Sequence, residues 1–549
     1  MWWDGADLVR LYDYRWFTAQ AQRAGFGDQL VGFAVLTPPS TLLAAPLLPL
    51  GPELAGIGWL VGQVLLGTLT IAALSAALDL PAWLLGAIAL SMWPALGAHL
   101  VQGQFHLPAV CALALGYLAY QRQRSLFAGI LWGLAAGLKV HAWPIVLLAA
   151  MARERTVVFA AAGTLLLGGA VSVLLVGWPL HGVWLREIVP ASASGFFVHP
   201  WHPAYQGIGQ ASRILLHPMP GMNVAWSDAP RLAAAIPAAL SALMVGITAC
   251  GGLSWPEKSV AHRSQLLGAA AICALVSGPI LSMYHLTLLI PPVIWTAAWG
   301  LRSGERGRAA AILVLAVLAV WSPISMSLPD PASPLEVVLG FPRLFLVLAL
   351  WGAMMPWRPS ALERRGRWVV VLFAVIVGGR AQPPPVGAAN PLWDPEAPLI
   401  AADLIGTDDG SLWFSGLTGD RRGHEGRGWV GFRLPPGRDE TVEIVAASAT
   451  SHVWSPVPVA PDRVLWNGAA EAVRPGPGGG RLVAREVDGQ RDIFLITVDG
   501  RDIRLTTHPA HDDEPVWDRQ RGRIWFLSDR GVGVRALRLW WIPEPKTLF

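Results

Sequence analysis

The sequence predicts a polytopic α-helical membrane domain of about eleven spans, followed by a C-terminal all-β domain. Three observations predict it. Of 549 residues 53% are hydrophobic and only 14% charged, and the mean hydropathy of +0.46 lies outside the balance of soluble globular chains. Apolar runs near the twenty or so residues that a hydrocarbon core of ~30 Å demands recur between residues 54 and 380. Charge then changes character: residues 1–380 hold 22 Lys and Arg against 14 Asp and Glu, whereas residues 381–549 hold 19 against 23. The two parts are built for different solvents. A net charge of +4 with no dense basic block excludes a nucleic-acid partner, and the apolar content excludes disorder. Cys111, Cys250 and Cys273 all lie in apolar stretches and read as small core residues rather than disulfide partners or zinc ligands.

Residues 1–53 read as an external loop and juxtamembrane region, and residues 54–380 as the membrane domain. Leu54 to Leu78, Leu80 to Gly103, Gln104 to Tyr120, Thr156 to Leu180, Leu232 to Trp255, Ser264 to Tyr284 and Leu286 to Leu301 carry almost no charge, so each is expected to span. Ser125 to Met151 is interrupted by Lys139, His141 and Pro144 and reads as two short helices meeting at Lys139. Ala309 to Ile324, Leu344 to Trp357 and Trp368 to Gly379 are shorter and need flanking arginines to snorkel.

Orientation follows from where the basic residues collect, because short cytoplasmic loops are enriched in Lys and Arg. Counting every span in order puts Arg122/Arg124, Arg153/Arg155, Lys258/Arg263, Arg302/Arg306/Arg308 and Arg358/Arg364/Arg365/Arg367 on one side, the cytoplasm. The loop around Gln102, Lys139, the long loop 177–231, the corner 282–285 and the C-terminal domain then lie outside, in a bacterial plasma membrane. The N-terminus falls outside too without the pattern of a signal peptide, which predicts a further span ahead of residue 1.

Polar residues at outer helix ends are costly beside lipid and mark a site by default. Here they fall in an ordered series: Asp13-Tyr14-Arg15-Trp16-Phe17, then Leu36-Thr37-Pro38-Pro39, then Gln102-Gly103-Gln104-Phe105-His106, then a glycine-rich run ending Lys139-Val140-His141-Ala142-Trp143-Pro144. The series resembles glycosyltransferase family 87, mannosyltransferases of the polytopic GT-C superfamily, over roughly residues 7–310. The chain departs from the family pattern where His106 stands for Asn and Thr37 for Tyr, so acceptor and sugar are open to differ.

The resemblance implies inverting transfer of a hexose, mannose above all, from a polyprenyl phosphate carrier to an extracytoplasmic lipid or glycan acceptor. It gives Asp13 the part of general base, with Asp7 as fallback; a plain loop carboxylate or helix cap is the alternative. Lys139 needs an anion or a snorkelling route, and a phosphate suits it. Gln102, Gln104 and His106 are placed to bind sugar or phosphate, or to cap helices. Tyr284 and His285 resemble the family's late aromatic-His segment facing the donor phosphate; a buried histidine satisfied by a carbonyl is the other reading. Tyr205-Gln206 through Ser212-Arg213 resembles, loosely, its Asn-Gln-Ser and downstream Arg, with Arg213 forking to phosphate or forming a surface ion pair. No cofactor is expected beyond the donor. His181, His199, His202 and His217 make a poor metal set, because no carboxylate lies at ligand spacing and Pro200 and Pro203 stiffen the turn.

Residues 381–400 are a proline-rich linker, and residues 401–549 alternate as strands. The stretches at 411–415, 452–466 and above all 492–530 resemble TolB-type propeller repeats, about four blades in all. The domain is expected to bind glycan or a protein, or to serve as a structural cap. A lipid or solute transporter would show internal repeats and mid-membrane charges, and a non-catalytic anchor for a β sensor domain would need no polar outer cluster. The glycosyltransferase reading accounts for that cluster.

Overall fold

The structure, a computed structural model, describes residues 11–12, 17, 36–189, 206–216, 225–227, 229–278, 281–322, 333–356 and 361–380 of the membrane part, and residues 390–391, 400–406, 411–417, 429–436, 443–447, 473–487, 490–507, 512–528 and 538–545 of the C-terminal part. The principal helices are α1 (Gly51–Leu78), α2 (Ala82–Ser91), α3 (Trp93–Val101), α4 (His106–Gln121), α5 (Ser125–Leu138), α6 (Trp143–Met151), α7 (Arg155–Val176), α8 (Ile208–Leu216), α9 (Pro230–Cys250), α10 (Val260–Ser277), α11 (Ile290–Arg302), α12 (Arg306–Trp321), α13 (Pro334–Leu339), α14 (Pro342–Met354) and α15 (Ala361–Arg380).

Glu53–Leu78, Arg155–Val176 and Arg231–Trp255 are long and apolar enough to cross a membrane, and only 17–28% of their apolar windows is buried. Leu65, Leu166 and Leu174 stand well exposed on them, as lipid-facing leucines do. Among the described residues the other apolar segments are shorter or broken, so fewer uninterrupted spans are seen there than the eleven expected. The stretch 80–103 is a pair, α2 and α3, bent by 74°, and the stretch 286–301 begins as a 3-10 turn, Met283–Leu289, before α11. Proline is the reason in part: Pro94, Pro144 and Pro291 each sit in a helix's first turn, where the missing N–H costs nothing and an earlier helix cannot continue through it. Broken helices are tolerated at membrane depth where protein covers the freed backbone groups, and here α10 and α11 are buried almost throughout.

Chain direction sorts the helix ends. Helix α4 runs from His106 to Gln121 and α5 returns from Ser125 to Leu138, so His106 and Lys139 share one end and Arg122 and Arg124 the other. The same parity puts His285 and Arg343 with His106, and Arg302, Arg308 and Lys258 with Arg122. At that arginine end, charges close backbone and ion-pair accounts. Arg302 donates to the Leu78 carbonyl, Arg308 to those of Ala353 and Met355 and to Glu305, and Lys258 pairs with buried Glu363 at 2.7 Å. Cations on the last carbonyls of α1 and α14 also complement the helix dipole.

Glycines explain the tightest contact. A Cβ on Gly129 would lie 2.4 Å from the Val157 carbonyl oxygen, and one on Gly133 2.7 Å from that of Ala161. Small residues four apart let the α5 and α7 backbones meet, and α5 ends at Lys139. The three cysteines are free and buried.

The C-terminal part forms three four-stranded antiparallel sheets. One contains β2 (Ile400–Gly406), β3 (Leu412–Leu417), β4 (Trp429–Leu434) and β5 (Glu443–Ala447); a second β6 (Arg474–Pro475), β7 (Arg481–Val487), β8 (Gln490–Ile496) and β9 (Asp502–Arg504); the third β10 (Asp512–Asp518), β11 (Arg523–Ser528), β12 (Arg538–Pro543) and, from the domain's start, β1 (Asn390–Pro391). Strand alternation places Trp525 and Leu527 in one apolar cluster and Ile524 and Phe526 in the other, so the third sheet is covered on both faces. Of the roughly four blades expected, in a closed or an open arrangement, the described residues show three small sheets and no closed ring. The stretch 452–466 lies outside them. In the 497–501 turn, hydrogen bonding by the Thr497 hydroxyl, and then by Arg501, holds the Asp499 carboxyl below the usual carboxylate range.

Candidate functional site

The site grows from four breaks in helices at one end of the bundle. Between α3 and α4 the chain turns through Gln102-Gly103-Gln104, with Gly103 at φ +58°; a Cβ there would meet nothing within 4 Å, so backbone conformation rather than space calls for glycine. This turn delivers His99 from the end of α3 and His106 from the start of α4, both fully buried. Between α5 and α6 the chain is extended at Lys139 (φ −140°, ψ 116°) and then passes His141. Ahead of α1, Thr37 donates to the Gly137 carbonyl at 2.7 Å and shares a hydrogen bond with Ser40 at 2.9 Å, while Ser40 reaches the Leu138 carbonyl at 3.3 Å. The Thr-Pro-Pro-Ser segment thus clasps the end of α5, satisfying carbonyls that the break at Lys139 leaves without helical partners. Tyr12 in turn donates to the Leu36 carbonyl at 2.7 Å.

The fourth break follows α10. Ser282 caps the 3-10 turn and its backbone N–H donates to His285 Nδ1 at 3.0 Å. A backbone N–H only donates, so Nδ1 accepts and the neutral ring carries its proton on Nε2. Thr287 anchors the turn to the Ala95 carbonyl at 3.1 Å.

Together the breaks assemble a ring cluster. His106 lies 5.8 Å from His99, 5.3 Å from Tyr284 and 5.1 Å from His285, centroid to centroid, and His285 lies 5.3 Å from His141 and 4.5 Å from Tyr284. The charge of Lys139, itself 6% exposed, acts on all four imidazoles. His99 Nε2 sits 3.0 Å from Gln63 Oε1. Both ring nitrogens of His106 and the Nδ1 atoms of His99 and His141 are buried with no hydrogen-bond partner among the described residues, which is costly unless a polar ligand or water meets them. Among the described residues no carboxylate pairs with Lys139, and no group of three or more His, Cys, Asp or Glu is arranged to hold a metal. His181 is engaged instead with the Gly177 carbonyl and Ser172; His199, His202 and His217 lie outside the described residues.

Of the residues singled out from sequence, Lys139, His106, Tyr284 and His285 come together. Gln102 is exposed and Gln104 half-buried; neither joins the rings by a hydrogen bond. Arg213 is half-buried on α8. Asp13 and Asp7 lie outside the described residues. Sequence reasoning missed His99, Gln63 and the part played by His141, although a histidine inside an apolar run is itself a signal of a buried polar site.

No curated protein and no solved structure matches the chain. A model of glycosyltransferase family 87 matches residues 35–282, the stretch that holds Thr37, His99, His106, Lys139 and His141 and stops just short of Tyr284 and His285, and with its apolar helices this makes the chain a multi-pass membrane protein similar to the glycosyltransferases of that family.

Proposed function

We propose that the protein is a GT-C-type hexosyltransferase of the bacterial plasma membrane, moving mannose from a polyprenyl phosphate to an extracytoplasmic lipid or glycan acceptor with inversion at the anomeric carbon. The observation that carries this reading is the buried Lys139 among four histidines, with no carboxylate paired to it among the described residues. The acceptor oxygen bonds to the anomeric carbon as the bond from that carbon to the phosphate oxygen breaks. The acceptor's proton passes to a carboxylate, Asp13 by its resemblance, and the phosphate leaves with an added negative charge. A fixed cation and N–H donors aimed at that phosphate stabilise it most when the charge is fullest. His285, with its proton on Nε2, is suited to donate. Next to Lys139, an apolar groove of about 520 Å³ lined by Leu43, Leu66, Leu69, Leu115, Leu134 and Leu138 suits the isoprenoid tail.

The test is a transfer assay with the purified chain in lipid and polyprenyl phosphate mannose, glucose or galactose, following release of polyprenyl phosphate. Mannose-dependent release is expected, reduced in Lys139→Ala. A folded protein that releases nothing from any of the three donors overturns the reading.

A further inference from the structure

Arg343, in the first turn of α14, is wholly buried, and its Nε, Nη1 and Nη2 atoms have no hydrogen-bond partner among the described residues. Its backbone N–H donates to Gln206 Oε1 at 2.9 Å, and Gln206, just ahead of α8, is likewise wholly buried. Gln210 folds back over the same helix start, accepting from the Gly207 N–H at 3.3 Å through its Oε1. Because each amide oxygen is claimed by a backbone donor, the remaining polar atom in both side chains is the NH2 group, and both Nε2 atoms are buried without a partner among the described residues. Every unpaired polar atom of these three side chains is therefore a donor. A guanidinium kept inside protein with no counter-ion is strongly disfavoured, and pairing with a well-hydrogen-bonded anion offsets that cost. The start of α8, a helix of nine residues, adds its own N–H groups and dipole.

We infer that Arg343, Gln206 and Gln210 form an anion-binding subsite for a phosphate group. It adjoins the histidine cluster: the Gln206 N–H donates to the Leu281 carbonyl at 2.9 Å, next in the chain to Ser282, which holds His285. Arg343 lies beyond the matched residues 35–282, and the inference needs only an anion, whatever reaction the cluster performs. The phosphate is either that of the polyprenyl carrier, that of a phospholipid headgroup, or free inorganic phosphate.

Thermal unfolding and equilibrium binding of the full chain in phosphatidylcholine nanodiscs separate these sources. One arm adds polyprenyl phosphate, a second includes phosphatidylglycerol in the disc, and a third adds inorganic phosphate. At least one is expected to raise the melting temperature of the wild type, since a ligand of the folded state stabilises it by mass action. Arg343→Met is expected to lose that response and to weaken binding of the same probe tenfold or more, with no lower melting temperature in its absence. Gln210→Glu, which supplies a carboxylate internally, is expected to abolish the response too, and it carries the test if Arg343→Met does not fold. A wild type indifferent to all three probes, or variants that respond as the wild type does, overturns the subsite. Loss of the polyprenyl phosphate response in Lys139→Ala alone keeps the donor reading and removes this one.

Discussion

The two ends of the membrane domain treat buried charge in opposite ways. At the arginine end Lys258 meets Glu363 at 2.7 Å, Ser254 donates to the same carboxylate, and Arg302 and Arg308 donate to helix-terminal carbonyls. At the histidine end, among the described residues, Lys139 has no carboxylate, His106 has neither ring nitrogen satisfied, and the Arg343 guanidinium has no hydrogen-bond partner. Paired charges hold elements together. Unpaired buried donors cost stability, and a protein keeps them where a ligand completes them. The contrast teaches that charge count does not locate a site in this chain, whereas unmet hydrogen-bonding capacity does.

The largest effect is expected where a pair is broken. Lys258→Ala takes the cation away from buried Glu363 and should cost about 3–5 kcal/mol, while replacing both by apolar residues of similar volume should recover most of it. Chemical unfolding in detergent measures both, and a neutral Lys258→Ala would break the comparison. Next comes the base. Asp13→Asn should lower turnover about a hundredfold or more with unchanged stability, and Asp7→Asn far less; the transfer assay with thermal unfolding in parallel decides, and normal turnover in Asp13→Asn with a dead Asp7→Asn would move the base to Asp7.

A packing change should reach the site from a distance. Gly133→Ala sets a Cβ against the Ala161 carbonyl oxygen at 2.7 Å, so α5 and α7 must part, at about 1–3 kcal/mol. Donor affinity should fall with it, because Lys139 ends α5. A stable variant with native donor affinity would show that the glycine is incidental. The smallest effects on stability should come from the histidine end itself. Lys139→Ala and His285→Ala should each weaken polyprenyl phosphate sugar binding by about one charge-assisted hydrogen bond, roughly tenfold or more; Lys139→Ala should leave the melting temperature level or higher, and His285→Ala, which takes the acceptor from the Ser282 N–H, should lower it only modestly. A large fall in stability with native binding would return both residues to the scaffold.

The sequence by itself determined the solvent of each half, the break at Lys139, the glycine-rich helix and the order of motifs from Thr37 to His141. Each depends on neighbours within about twenty residues, where hydropathy, proline and side-chain period act locally. The structure carries the break at 139 as read, and the glycines now have a cause in the α5–α7 contact. Hydropathy could not tell an uninterrupted span from α2 and α3 bent around Met92, because a sum over side chains is the same for a broken apolar helix as for a straight one and does not see the backbone groups the break frees. Nor did strand patterns specify assembly: β1 pairs with β12 from the far end of its domain, a pairing across some 150 residues that only tertiary packing selects. The cluster is of the same kind. His99, His106, His141 and His285 are spread over 186 residues, and Arg343 looks from sequence like one more flanking arginine. Which of them meet is decided by how whole helices pack, and whether a buried N–H finds an acceptor depends on every element around it.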